Sequence, residues 1–325
     1  MLSTLDEYSV LVVADKMTLK VAGNRAIECL EDEEIPVHCV LIERACEEDV
    51  KKVGEMVGEV GNVRLMVAVG GGSVIDVTKL ASVRVGCPFI SVPTVASHDG
   101  IVSSRASLRN KKGSISIEAQ PPIGVVADTE IIVSAPYRFL AAGCGDIISN
   151  KTAVLDWRLA HRLKNEPYSE YASALSEMTA TIILNSAESI KPNLEESVRV
   201  VMKALVSSGV AMSIAGSSRP ASGSEHKFSH ALDIIAPNPA LHGEQCGVGS
   251  IMMMYLHGGD WMAIKRALET IGAPTTAKEL GMKEEYIIEA LIKAKEIRPE
   301  RYTIIDGGIT EEAAMTLALK TGVIE

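Results

Sequence analysis

A chain of 325 residues with 47% hydrophobic content is long enough to bury one or two substantial cores, and two domains are the favoured count. The formal net charge of −10, aromatics at 4% and a single notable basic cluster around Lys111 and Lys112 argue against a nucleic-acid-binding surface. The N-terminus lacks a basic, then apolar, leader, and no stretch reaches the roughly 18 apolar residues of a membrane span, so a cytoplasmic protein without such a span is expected.

Short β-rich apolar runs alternate with helical stretches over the first 135 residues, the signature of a parallel sheet. Strands are expected at Ser9–Ala14, Pro36–Ile42, Leu65–Val69, Phe89–Val92 and Gly124–Ala127. The polar segment Ser103–Pro122 reads as a hairpin or loop over the site. Beyond Ala135 and Pro136 the periodicity turns helical, with stretches at Arg138–Ala160, Tyr168–Ser189, Glu195–Ser207, Gly249–Leu256 and Lys283–Ile297. Connections fall at Ser218–Gly223, Pro237–Pro239, Gly258–Gly259 and Gly272–Pro274. The expected architecture is an α/β nucleotide-binding domain over residues 1–135 and an all-α domain over 136–325, with metal and substrate in the cleft between them.

The strand Leu65–Val69 runs into Gly70, Gly71, Gly72, Ser73, Val74, Ile75 and Asp76, and a helix follows. Glycines there permit positive φ and close approach, and a helix N-terminus suits a pyrophosphate. Asp76 either accepts from a ribose or orders the loop. This is neither a GxGxxG fingerprint nor a Walker loop, so a plain tight turn stays open. The next strand ends in SVPTVASHD, which adds Thr94, Ser97 and Asp99 at the strand end where open α/β sheets bind ligands. Asp15, after the first strand, either meets an adenosine ribose and favours NAD over NADP or caps a helix.

Four of the seven histidines lie between residues 226 and 257. His226 and His230 share a helical face, and His242 can return to the same place. Asp146, in GCGDIISN, completes the set if it begins or caps a helix; an ordinary N-cap is the competing reading. One Asp and two His make a three-ligand catalytic zinc site with a position left for water or substrate. His257 reads as a helix C-terminal residue, and His38 and His161 carry no assigned chemistry. Six cysteines without a CxxC pair read as reduced thiols, with Cys144 and Cys246 minor candidates because they lie near the proposed ligands.

The runs VGGGSVIDVTKLAS, PFISVPTVASHDGIVS, AGCGDIISNKTAVLDWRLA, SSRPASGSEHKFSHALD, LHGEQCGVG and APTTAKELG, in this order, make the chain resemble the sn-glycerol-1-phosphate dehydrogenases over nearly its whole length. Glycerol dehydrogenases and dehydroquinate synthase share the fold with different versions of these motifs. The resemblance implies reversible NAD(P)H-dependent reduction of dihydroxyacetone phosphate to sn-glycerol 1-phosphate, a step of archaeal ether phospholipid biosynthesis, with one zinc ion and either NAD(H) or NADP(H). It implies Asp146, His226 and His242 as metal ligands, and Asp99, Asp146 and His230 as substrate contacts. Gly71, Gly72, Ser73, Val74, Ile75, Asp76, Thr94, Ser97 and Ser103 are the implied cofactor contacts. Two departures stand out: a shorter start before Ser9–Ala14, and His98 where the family usually has Asn. Arg219 is the candidate for the substrate phosphate, with a plain surface arginine as the competing reading. A homo-oligomer is expected. A polyol dehydrogenase on the same scaffold, a lyase of the dehydroquinate synthase type and a non-catalytic nucleotide-binding protein are the alternatives.

Overall fold

The computed structural model describes residues 8–110 and 113–325, so Lys111 and Lys112 lie outside the described residues. The chain divides into two compact units. One holds the residues up to Val95 together with Gly100–Ala135, and the other holds Ala96–Asp99 together with Pro136–Glu325.

The first unit runs β1 (Ser9–Ala14), α1 (Lys16–Thr18), a π turn at Leu19–Gly23, α2 (Asn24–Asp32), β2 (Val37–Leu41), α3 (Glu47–Val60), β3 (Val63–Gly70), α4 (Gly72–Val85) and β4 (Phe89–Pro93). The hairpin strands β5 (Arg105–Asn110) and β6 (Gly113–Glu118), then β7 (Gly124–Val125) and α5 (Thr129–Ser134), complete it. The main sheet has the order β2-β1-β3-β4-β7, and every pairing is parallel. Every residue of β1 is buried, as a strand covered on both faces requires, which is why SVLVVA is a continuous apolar run. Val10, Val12, Ala22, Val67 and Val69 pack together on one side of it. Each such fully buried side chain contributes about 1.5–3 kcal/mol.

The expected hairpin within Ser103–Pro122 is β5–β6, and a buried lysine holds it. Lys79, on α4, donates Nζ to the carbonyls of Gly100 (2.7 Å) and Arg105 (2.6 Å) and lies 3.5 Å from Asp76 Oδ1. Asp76 Oδ2 accepts from the Ser107 N–H at 3.0 Å. The buried Lys79 side chain thus finds its partners in the backbone at Gly100 and at the start of the hairpin.

The second unit is helical: α6 (Tyr137–Lys164), α7 (Glu170–Asn185), α8 (Glu195–Ala215), α9 (Ser224–Ile235), α10 (His242–Leu256), α11 (Trp261–Ile271), α12 (Glu284–Lys293) and α13 (Glu311–Lys320). Hydroxyl and carboxylate caps start several of them: Ser169 at α7, Asp260 at α11 and Thr310 at α13. Gly216 and Gly272 end α8 and α11 in the left-handed conformation that glycine adopts without penalty. By length and composition alone α8 resembles a membrane-crossing helix, with a mean hydropathy of 1.5 over its most apolar window, as the core helix of a folded unit also does. Half of that window is buried inside the unit, where α8 packs on α7 and α6.

Two glycine-dotted motifs are helix rather than turn. Gly143 and Gly145 lie inside the 28-residue α6, and Gly243 and Gly247 lie inside α10, which starts at His242 and not at Gly249. A Cβ on Gly145 would stand 2.4 Å from the Gly243 carbonyl oxygen, and one on Gly243 would stand 2.0 Å from that of Ala142. The glycines therefore let two helix backbones touch. On this basis Gly145→Ala should lower stability by about 1–3 kcal/mol through overpacking. Gly58→Ala, on α3 with nothing within 4 Å of the added Cβ, should raise it by about 0.5–1 kcal/mol. Urea unfolding midpoints read both.

Candidate active site

The helix contact just described sets two side chains against each other. Asp146 lies well inside α6, so it caps nothing, and its carboxylate is buried. Oδ2 accepts from the Asp99 N–H at 2.8 Å. Oδ1 is buried with no hydrogen-bond partner. Nε2 of His242, the first residue of α10, lies 3.7 Å from that oxygen, and Nε2 of His226, on α9, lies 3.9 Å from it. The two imidazole centroids are 4.9 Å apart.

Each imidazole is held through its other nitrogen. His226 Nδ1 is 2.9 Å from Glu225 Oε1, and His242 Nδ1 is 3.2 Å from Ser229 Oγ. Burial pushes both histidines well below the ordinary imidazole value, with help from His230 at His226 and from His226 at His242. Arg298 and Arg301 add to the effect at His226. Both rings are thereby kept neutral, which is the state that ligates metal. Burial, then the Asp99 carboxylate, pushes the Asp146 carboxyl well above its usual range. Cys246 Sγ lies 3.6 Å from His242 Nε2, and burial raises its thiol well above the ordinary value. The ligand atoms of Asp146, His226, His242 and Cys246 all lie within 4.8 Å of one another. Asp146 Oδ1, buried with no hydrogen-bond partner among the described residues, faces the Nε2 atoms of two imidazoles that are held through their other nitrogens, and a divalent cation, whose binding keeps the carboxyl ionised, fits this one-oxygen, two-nitrogen set.

His230 stacks on His242 at 5.7 Å between centroids, and the His98 ring stands edge-on to His242 at 6.1 Å. The Nδ1 of His230 is buried without a hydrogen bond; Asp233 Oδ2 is 3.7 Å away. Asp99 Oδ2 accepts from the Ser208 hydroxyl at 2.7 Å, and Ser208 in turn accepts from Asn150 Nδ2 at 3.2 Å. The structure thus brings Asp99, Asp146, His226, His230 and His242 into one cluster, with Ser97 on the same short segment as Asp99. Cys144 is buried on α6 and is not among the clustered ligand atoms.

In the first unit, β3 ends at Gly70 and α4 starts at Gly72 behind Gly71 as N-cap. None of the three glycines has a positive φ, so the conformational argument made for them does not apply. What requires Gly70 is space, since a Cβ there would stand 2.6 Å from Val74 Cγ2. Thr94 donates its N–H to the Gly70 carbonyl at 3.1 Å, and the Ser103 hydroxyl lies 3.2 Å from the Arg105 carbonyl. Of the two roles open to Asp76, loop ordering is the one seen. Asp15 caps α1, accepting from the Met17 and Thr18 N–H groups at 2.8 Å.

Arg219 overturns an expectation. Its Nε donates to Glu166 Oε1 at 2.6 Å, Nη2 bonds the other Glu166 oxygen, and Nη1 donates to the Tyr302 carbonyl at 2.8 Å. A buried guanidinium committed in this way anchors a loop and is not a phosphate partner. Sequence reasoning also passed over Glu225 and Ser229, whose only signal is their place beside or one turn from the histidines in GSEHKFSH.

The chain thus holds a parallel-sheet unit and a helical unit that carries an Asp/His/His cluster. The family described as iron-containing alcohol dehydrogenase matches residues 1–136. A probable glycerol dehydrogenase from Sinorhizobium meliloti superposes with a TM-score of 0.77 at 21% identity, covering 98% of this chain and 92% of that one. An NADH-dependent butanol dehydrogenase from Thermotoga maritima gives 0.73 at 18% identity, covering 98% and 92%. Sequence relatives narrow the assignment. The glycerol-1-phosphate dehydrogenase (NAD(P)+) of Methanococcoides burtonii is 61% identical over 97% of this chain and 88% of its own length. That of Methanothermobacter thermautotrophicus is 60% identical over 98% and 91%. The chain belongs to the glycerol-1-phosphate dehydrogenase family. With Arg219 anchoring structure, Arg219→Gln should cost on the order of 3 kcal/mol of stability while the KM for a phosphorylated substrate stays within about twofold of wild type, as urea unfolding and steady-state kinetics will show.

Proposed function

We propose that the chain reversibly reduces dihydroxyacetone phosphate to sn-glycerol 1-phosphate with NADH or NADPH, and that Asp146, His226 and His242 hold a zinc ion. The partnerless Asp146 Oδ1 between two neutral histidines carries the site assignment, and the relatives at about 60% identity support the reaction. When bound, the ion supplies Lewis acidity to the substrate's oxygens and the nicotinamide supplies hydride.

The chain's own residues supply position and protons. Asp99 is turned by Ser208 and Asn150 to face substrate, and His230 stacks beside the ligand histidines as a second substrate contact. A proton reaches the nascent alkoxide through Asp99, His98 or His230. Backbone N–H groups at the start of α4, over Gly71, Gly72, Ser73 and Val74, suit the cofactor pyrophosphate, and Ile75, whose N–H is taken by the Gly71 carbonyl, Thr94, Ser97 and Ser103 are further cofactor contacts. Asp76 serves them indirectly by fixing the hairpin. Asp15 disfavours a ribose 2′-phosphate and inclines the enzyme to NADH. A domain division at 135/136, a cytoplasmic location, a role in ether-lipid synthesis and a homo-oligomeric state complete the reading. The six cysteines, all free, accord with a reducing compartment.

NADH oxidation with dihydroxyacetone phosphate should be rapid, give the sn-1 enantiomer by chiral analysis, and run at a kcat/KM no lower than with NADPH. Equal turnover of unphosphorylated dihydroxyacetone would sink the substrate assignment. Metal analysis should find about one zinc per chain. Asp146→Asn should lose it while keeping the wild-type circular dichroism, and retention of zinc would remove Asp146 from the ligand set.

A further inference from the structure

The two histidines of the proposed metal centre are supported unequally. Ser229 Oγ, a neutral hydroxyl, meets His242 Nδ1 and also accepts from Gln245 Nε2 at 3.1 Å. His226 Nδ1 instead meets a carboxylate oxygen of Glu225. That carboxylate is wholly buried on the first turn of α9. A buried carboxylate is retained only where its partners offset its desolvation. Glu225 has three: the Gly223 N–H at 2.5 Å and His226 Nδ1 at 2.9 Å on Oε1, and the Thr152 hydroxyl at 2.7 Å on Oε2.

The neighbouring backbone is shaped around this group. A Cβ on Gly223 would stand 2.9 Å from Glu225 Oε2 and 2.6 Å from Asp156 Oδ2. A Cβ on Gly249, on α10, would stand 3.2 Å from the Glu225 Cα. The Gly223 N–H donates to Oε1 at 2.5 Å, and with the metal bound at Nε2 the His226 nitrogen facing that oxygen is the one left to hold the proton. The proton on Nδ1 leaves the lone pair on Nε2, the atom turned towards Asp146 Oδ1.

We propose that Glu225 is the positioning residue of the centre: it locks His226 in the Nδ1–H tautomer, aims Nε2 at the ligand cluster and raises its basicity, so that His226 is held more firmly than His242. The proposal rests on the metal-centre reading above. It assigns Glu225 no contact with substrate.

Histidine tautomers read by long-range 1H–15N correlation, and zinc affinity read by chelator competition, test it on the full chain. The metal-free wild type should show His226 as Nδ1–H; an Nε2–H form overturns the assignment whatever the variants do. Glu225→Ala should mix the tautomers and weaken zinc binding by about 10–100-fold. Glu225→Gln keeps an acceptor oxygen under the Gly223 N–H, so it should preserve the tautomer and lose less than about tenfold. Ser229→Ala should lose less than Glu225→Ala. A folded Glu225→Ala chain that binds zinc within twofold of wild type, or a Gln variant as impaired as Ala, rejects Glu225 alone. A wild type that binds no zinc rejects the metal centre and this proposal with it.

Discussion

Much of the second unit depends on a contact between two stretches of bare backbone. Gly145 and Gly247 face each other with Gly243 lodged against the Ala142 carbonyl, and no side chain separates α6 from α10 at that point. Ordinary helix pairs stand 8–10 Å apart, kept there by their side chains. Closer approach lets residues adjoining the glycines meet with short side chains. Asp146 follows Gly145 and His242 precedes Gly243, so the contact that excludes side chains also aims two of them. Gly143 extends the same device to Ala96, whose carbonyl oxygen would lie 2.1 Å from an added Cβ, and so seats the segment that carries Asp99.

Around that contact the polar groups are satisfied in series. Asp156 accepts from the Ser224 hydroxyl and backbone, from His257 and from the Ile304 N–H, tying α6 to the start of α9, the end of α10 and the loop before α13. Lys227 meets both oxygens of Asp306 at 2.8 Å. Among the described residues, the buried side-chain atoms of this unit left without a partner, Asp146 Oδ1, His230 Nδ1, Asn150 Oδ1 and Gln245 Oε1, all belong to α6, α9 and α10, the helices that carry the histidine cluster and Asp146.

What could be read from the sequence followed the physics of each element. The central strands β1 and β3 were legible because burial on both faces leaves a largely apolar run, the edge strands β2 and β7 only from their β-branched residues and flanking turns, and all five fell within two residues of the observed limits. The helix spacing of His226 and His230 was equally plain, and so was the return of His242. Glycine misled the rest. GCGD lay within the expected helical stretch Arg138–Ala160, yet its glycines left Asp146 open to an N-cap reading, because sequence alone does not distinguish a glycine that frees φ from one that removes a Cβ. The same ambiguity left residues 242–248 outside the expected helix Gly249–Leu256, although α10 starts at His242. Arg219 failed for another reason: Glu166 and the Tyr302 carbonyl lie 53 and 83 residues away and leave no local trace. The amphipathic helices α11 and α13 were passed over between louder punctuation.

The long apolar α8 carries a consequence for how the chain is made. Taken alone it has the composition of a segment that lipid or another apolar surface would accept. Its covering helices α6 and α7 precede it in the sequence, so both have left the ribosome before α8 emerges. Synthesis runs slowly enough for earlier helices to form and wait. The hydroxyl of Ser208, which must turn inward to reach Asp99, then has a ready partner on the side already built. The order of elements along the chain therefore builds the covering partners of this long apolar helix before it emerges.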